Sequence, residues 1–189
     1  MALKGLVLCG GKSTRMQQDK SKIQYHGLPQ WQYLYNLLKG FVPEVWLSAR
    51  EGQKFQGCKF IIRDSVDGAG PSSGLLSAHA QDPAASWLVL ACDLPLISTQ
   101  SIALLVEKRD PKMSATSFIS PFNDQPEPLI AIWEPAGLQQ LAEDVGNGKT
   151  CPRKTLASLE VALLDNPFRR EQYNANTPDE MDNAMEKLK

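Results

Sequence analysis

The sequence predicts an α/β fold built on a single doubly wound, mostly parallel sheet, and three observations predict it. Short apolar runs stop abruptly on glycine or a polar residue, helically spaced apolar residues lie between those runs, and the two alternate along most of the chain. Residues 5–9 are an apolar run that ends at the pair Gly10 and Gly11, as a buried parallel strand ends where it leaves the sheet. The polar stretch 12–22 reads as a loop. Trp31, Leu34, Tyr35 and Leu38 then recur at helical spacing between Pro29 and Gly40, a start and a stop signal. Residues 45–47 and 60–62 read as the next strands, 73–80 as a short helix after a glycine-rich loop, and 87–92 as a buried strand that ends on Asp93. Ile102, Leu105 and Val106 form a helical stripe. From Met113 the pattern weakens: 115–119 and 129–133 read as strands joined through Pro121, Pro126 and Pro128, a β-excursion from the alternating part. Thr177, Pro178, Asp179 and Glu180 have the order of a capping box that opens a C-terminal helix.

The 189 residues have the length of one domain spanning 1–189, and 42% hydrophobic with 22% charged residues supports a buried core rather than disorder. Twenty lysines and arginines against 21 acidic residues leave a net charge of −1, so no global basic field holds a nucleic-acid backbone. Nucleic acid is therefore not an expected partner, and an anionic ligand has to be met locally. The four cysteines, Cys9, Cys58, Cys92 and Cys151, contain no C-x-x-C pair, and only His26 and His79 accompany them, so a zinc site is not expected. Reduced thiols and a cytoplasmic location are. The apolar start is far shorter than a secretory core segment, and no stretch approaches the roughly 20 apolar residues that span a bilayer, so no membrane role is expected.

In a doubly wound sheet ligands sit beyond the carboxyl ends of the strands, and here those ends carry Gly10, Gly11, Ser48, Asp64 and Asp93. Gly10 and Gly11 let backbone approach a ligand closely, while Arg15, Lys20 and Lys12 beyond them can neutralise phosphates. A P-loop would need glycine at position 6, which is Leu6, and the G-x-G-x-x-G spacing is absent. The same segment also reads as a Gly-Gly turn followed by solvated charge. Asp64, ahead of Asp67, Gly68, Gly70, Pro71 and Gly74, can accept hydrogen bonds from a ribose or base, or belong to a surface turn. Asp93 either holds Mg²⁺ beside substrate phosphates or caps its own turn; its position alone does not separate the two. Asn174 and Asn176 form turns or reach a ligand, and His79, mid-helix, carries no assigned role. Trp31, Tyr33 and Tyr35 read as packing residues rather than a platform for bases.

Taken together, Leu8, Gly10, Gly11, Ser13, Arg15, Met16, Asp19 and Lys20, then Asp64 with Gly70, Pro71 and Gly74, then Cys92, Asp93 and Pro95, then Asn174, Asn176, Thr177 and Pro178, resemble the motifs of the molybdenum cofactor guanylyltransferase family. They keep the motif order over nearly the whole chain. The resemblance implies a Rossmann-like sheet of the nucleotide-diphospho-sugar transferase type. It also implies transfer of GMP from GTP to molybdopterin, with molybdopterin guanine dinucleotide and pyrophosphate as products and Mg²⁺ as cofactor. By motif, Leu8, Cys9, Gly10 and Gly11 contact the guanine nucleotide, Lys20 meets its phosphates, Asp64 also binds GTP, and Ser48 occupies a further nucleotide position. Asp93 holds Mg²⁺ and acts catalytically with Arg15 and Lys20. Transient contact with other molybdenum cofactor proteins is implied as well.

The chain departs from the family pattern at Cys9, Gln17, Ser48 and Ser72, where alanine, glycine, asparagine and a larger apolar residue are usual. The Gly10-Gly11 pair is the guanylyl pattern, whereas related cytidylyltransferases carry Ala-Gly, so the resemblance alone favours GTP. An anionic pterin acceptor needs a basic wall, for which Lys149, Arg153 and Lys154 beside a Gly-Asn-Gly loop are candidates, with solvated charge the alternative. The rival readings are a cytidylyl- or sugar-phosphate nucleotidyltransferase of the same fold, and a nucleotide-binding protein without turnover.

Overall fold

The computed structural model describes residues 2–11, 15–64 and 69–189. Seven strands form one sheet in the order β3-β2-β1-β4-β6-β5-β7: β1 Leu3–Leu8, β2 Val45–Ala49, β3 Ile61–Arg63, β4 Ser86–Ala91, β5 Ala115–Ile119, β6 Pro126–Trp133 and β7 Val161–Leu164. Among the described residues six α-helices accompany them: α1 Gln30–Lys39, α2 Pro71–Gln81, α3 Thr99–Glu107, α4 Pro135–Gly146, α5 Pro152–Ala157 and α6 Pro178–Lys187. Neighbouring strands are parallel except at β6, which is antiparallel to both β4 and β5. The chain runs outward from β1 through β2 to β3, then crosses back to β4 on the other side of β1. That reversal is the topological switch point, and it opens a crevice at the carboxyl ends of β1 and β4.

Alternation along the strands builds two cores. Val7, Leu47, Leu88, Leu90, Ile130 and Ile132 face Trp31, Leu34 and Leu38 of α1 and Ile102 and Leu105 of α3. The intervening residues Leu6, Trp87, Val89, Ala131 and Trp133 face Leu75 and Ala78 of α2, Leu138 and Leu141 of α4, and Leu156 of α5. A period of two in the sheet meets a helical stripe on each face, which is why the sequence folds into three layers. Among the described residues no helix is long and apolar enough to cross a membrane.

The expected strands and helices up to α3 are present, with ends shifted by a residue or two. The expected excursion is different: β5 and β6 are members of the main sheet. Pro126 and Pro128 lie inside β6, but at the end that runs past β4, whose pairing stops at Leu90 with Ile130, and beside a bulge in β5 between Ser117 and Ile119. Proline has no N–H to give a ladder and is accommodated where pairing is already interrupted. Helix α4, helix α5 and edge strand β7 are additional elements that the reading from Met113 onward does not assign. Residues 20–22, expected as loop, form a 3-10 turn. The capping box of α6 is present: Thr177 accepts from the Glu180 N–H, and the Glu180 carboxylate accepts from the Thr177 N–H.

Candidate active site

A cleft of about 310 Å³ lies at the switch point. Leu8, Cys9, Gly10, Gly11, Arg15, Lys20, Ser48, Asp64 and Asp93, the residues that the family resemblance assigns to the nucleotide, the metal or catalysis, border it. Gly70, Pro71 and Gly74, at the amino end of α2, form one wall. Lys12, Ser13 and Asp67 lie outside the described residues.

Two glycines set the depth of the cleft. A side chain on Gly10 would overlap the Asp64 carboxylate, so the end of β1 and the end of β3 meet only because position 10 has no Cβ. A Cβ on Gly74 would overlap the Ser48 hydroxyl and a Leu8 methyl, so α2 packs directly on β2 and β1 at the cleft wall. Gly74→Ala is expected to destabilise the fold by about 1–3 kcal/mol, the usual cost of overpacking. Denaturant unfolding measures it, and an unchanged midpoint would show that Ser48 and Leu8 move aside freely. Ser48 is buried and donates to Asp64 Oδ1 at 2.5 Å. Through this bond it orients Asp64, whose carboxyl burial pushes above its ordinary value.

The charged loop is held from below. Met16 is buried against Ile23 and Ala175, with Met181 and Met185 of α6 packed alongside. Asp19 caps the turn at residues 20–22 by accepting from the Ser21 N–H and hydroxyl. Gln53, buried between β2 and β3, donates through Nε2 to both the Cys9 carbonyl and Asp19, tying the loop to the end of β1. Lys20 Nζ donates to Asn176 Oδ1 at 2.5 Å, and Asn176 itself borders the cleft. The Asn176 N–H is held by Glu180, and the neighbouring Ala175 N–H donates to the Asp93 carbonyl. Helix α6 thus locks the lysine-bearing loop and the end of β4 to each other. Asn174, in contrast, donates to the Gln172 carbonyl and makes a turn. Gln53 and the Asn176–Lys20 bond are features that reasoning from the sequence did not find; the pairing of an asparagine just before a capping box with a distant lysine has no local signature.

Asp93 follows β4 directly. Its Oδ1 is shut off from solvent with no hydrogen-bond partner among the described residues. Burial pushes its carboxyl above the ordinary value, with Lys20 and Arg15 acting in the opposite direction. A buried carboxylate oxygen left unsatisfied is costly and calls for an explanation. A cation in the cleft would supply one, since Mg²⁺ takes one or two carboxylates and completes its shell with phosphate oxygens and water. Among the described residues no group of three or more His, Cys, Asp or Glu could hold a metal alone, so any cation here would be shared with a ligand.

Of Lys149, Arg153 and Lys154, Arg153 lies beside the main cleft. It lines a 360 Å³ depression with Thr150 and Cys151 that meets the main cleft at Gly70, Pro71 and Leu129. Its Nη2 donates to Glu127 at 3.4 Å, while its Nε is buried without a partner among the described residues. Lys149 is exposed, 4.0 Å from Asp144, and Lys154 is exposed. His79 lies toward the end of α2 and does not border either cleft.

Residues 5–163 match the sequence profile of the MobA-like NTP transferase domain. A molybdenum cofactor biosynthesis bifunctional protein from Synechocystis sp. is 36% identical over 94% of this chain, which spans about half, 52%, of that protein's length. A probable molybdenum cofactor guanylyltransferase from Nostoc sp. is 27% identical over 95% of this chain and 88% of its own. Among solved structures, molybdopterin-guanine dinucleotide biosynthesis protein A from Archaeoglobus fulgidus superposes with a TM-score of 0.79 over 97% of both chains at 21% identity, a likeness of fold. With the seven-stranded sheet, the cleft at its switch point and a profile match over most of its length, the chain belongs to the MobA-like NTP transferase family.

Proposed function

We propose that this chain, as a single domain over residues 1–189, transfers GMP from GTP to molybdopterin and releases pyrophosphate, with Mg²⁺ as cofactor. The observation that carries the proposal is the unsatisfied Asp93 oxygen at the switch point, with Lys20 and Arg15 on the same cleft. The names of the relatives at 36% and 27% identity support the guanylyl and molybdopterin assignments.

In the proposed reaction a terminal phosphate oxygen of the acceptor attacks the α-phosphorus of the nucleotide in line, and the bond to the bridging oxygen of the departing pyrophosphate breaks. No protein nucleophile takes part. Gly10 and Gly11 let the backbone approach the nucleotide, Leu8 and Cys9 form the floor beside them, and Asp64, oriented by Ser48, accepts hydrogen bonds from ribose or base. Lys20, aimed by Asn176, and Arg15 stabilise negative charge on the phosphates, so catalysis is chiefly positioning and electrostatics. Asp93 would hold Mg²⁺, which when bound neutralises charge on the reacting phosphates. Arg153 at the adjoining depression meets the anionic acceptor. The four free cysteines fit a reducing compartment, and a cytoplasmic location is part of the proposal.

The test is pyrophosphate release from each of the four nucleoside triphosphates, with purified molybdopterin present or absent and with Mg²⁺ or a chelator. Release that needs GTP, acceptor and Mg²⁺ together is the expected result. Release with CTP in place of GTP would move the base assignment to cytosine. Tight GTP binding with no release would replace the enzyme by a nucleotide-binding protein.

A further inference from the structure

Two thiols that the proposed reaction does not use meet in the floor of the cleft. Cys9 and Cys92 follow directly on Leu8 and Ala91, which are partners across the parallel pair β1 and β4. Their sulfurs are 3.5 Å apart, and both residues border the cleft although each is about 95% buried. The Cys92 N–H donates to the Leu8 carbonyl at 3.3 Å, so the two backbones are already held side by side. Neighbouring strands run about 4.7–4.9 Å apart, inside the Cα separation of about 4.4–6.8 Å that a disulfide spans. The sulfurs, 3.5 Å apart, have about 1.5 Å to close to reach a bond of about 2.05 Å. Behind the pair lies the packed core of β1, β4 and α1, which leaves the cleft as the way in. The other two cysteines stand apart: the Cys58 thiol contacts the Phe60 carbonyl, and Cys151 is exposed on the adjoining depression.

We infer that Cys9 and Cys92 are an oxidative modification site: a dithiol that a small disulfide reagent converts to an intramolecular disulfide by way of the cleft, and that a bound nucleotide shields. One cysteine sulfur, having lost its proton, attacks a sulfur of the reagent, forms a mixed disulfide and releases the first small thiol. The second cysteine loses its proton, attacks the protein sulfur of that mixed disulfide and releases the second. The protein gives up two hydrogens and two electrons, and the reagent is reduced to two thiols. The bond joins the ends of the two strands that flank the switch point, so it changes the floor on which a nucleotide rests.

The experiment uses the full chain, reduced and freed of reductant, then incubated with oxidised glutathione and quenched by alkylation. Intact mass and peptide mapping are read with time, with and without triphosphate. The expected result is a protein lighter by two hydrogens before alkylation, two of its four cysteines protected from alkylation, and a Cys9–Cys92 linked peptide pair. GTP with Mg²⁺ at ten times its Kd is expected to slow the linkage about tenfold, the fraction of protein left unliganded. Cys9→Ala abolishes the link, Cys92→Ala repeats the check should the first variant fold poorly, and Cys151→Ser leaves the link in place. Glutathione adducts on Cys151 alone, or linkage of any other pair, would overturn the inference. The nucleotide arm separates this from the proposed function. A link that no triphosphate slows overturns the shielding and the nucleotide assignment of the cleft with it, whereas triphosphate-dependent turnover with no link overturns the dithiol alone.

Discussion

Asp93→Asn is expected to slow pyrophosphate release by about 10²–10³-fold, the scale of losing one preorganised charge from a transfer site, while making the ligand-free protein more stable at neutral pH. The two effects have one cause. Burial raises the Asp93 carboxyl above its ordinary value even with Lys20 and Arg15 opposing, so the ionised form is disfavoured by the fold. As pH rises, the unfolded chain releases this proton first. The folded state then carries an ionisation cost that is absent below the unfolded value and complete above the raised folded value. Asparagine has nearly the same shape and no charge, so the stability advantage of the variant grows as pH rises through that window and then levels. Turnover of the parent chain moves the opposite way, falling as pH drops and Asp93 takes up its proton. Thermal melts over a pH series, run beside pyrophosphate release, check both. A variant that loses stability at every pH would make Asp93 a turn-capping residue and remove it from the chemistry.

The half of the fold that makes the cleft was legible because it is written in local signals. The run that ends at Gly10-Gly11 and the run that ends at Asp93 are each a buried strand with a polar stop. Placing both at a switch point needs only the alternation of strands and helices. Gly10, Gly11, Ser48, Asp64 and Asp93, proposed from the strand ends, fall on one cleft with the loop cations Arg15 and Lys20 and with Leu8 and Cys9, which only the family resemblance implied. What held them there was not legible. Gln53 sits between two strands with no pattern around it, and its bonds reach Cys9 and Asp19, 44 and 34 residues away. Asn176 aims Lys20 across 156 residues. Such contacts exist only after the sheet has assembled. Helix α4 is another matter: Leu138, Leu141 and Val145 do recur at helical spacing after Pro135, but the prolines at 121, 126 and 128 break the pattern just before it. The antiparallel direction of β6 has no local signal at all, since a strand reads the same in both directions.

At the opposite end of the same strands, Arg109→Met is expected to cost about 3–5 kcal/mol, because it strands a buried charge. Glu134, at the end of β6, is 2% exposed and is held by Arg109 through two parallel bonds, Nε to Oε1 at 2.7 Å and Nη2 to Oε2 at 2.9 Å. Ser86, at the start of β4, donates to the same carboxylate and accepts from Arg109 Nη2 at 2.8 Å. The fork geometry satisfies both carboxylate oxygens at once, which a lysine could not do. Removing the guanidinium leaves the carboxylate with a single serine hydroxyl in a site closed to water, and Tm should fall by about 6–20 °C for a chain of this size. Adding Glu134→Gln to the variant should recover part of that loss, since the stranded charge is then gone and only the bonds are missing. The whole length of β4 separates this cluster from Asp93, so pyrophosphate release per folded molecule, measured well below Tm, is expected to stay at the parent level. A double variant no more stable than Arg109→Met would assign the cost to lost packing of the arginine stem instead of to the charge it neutralises.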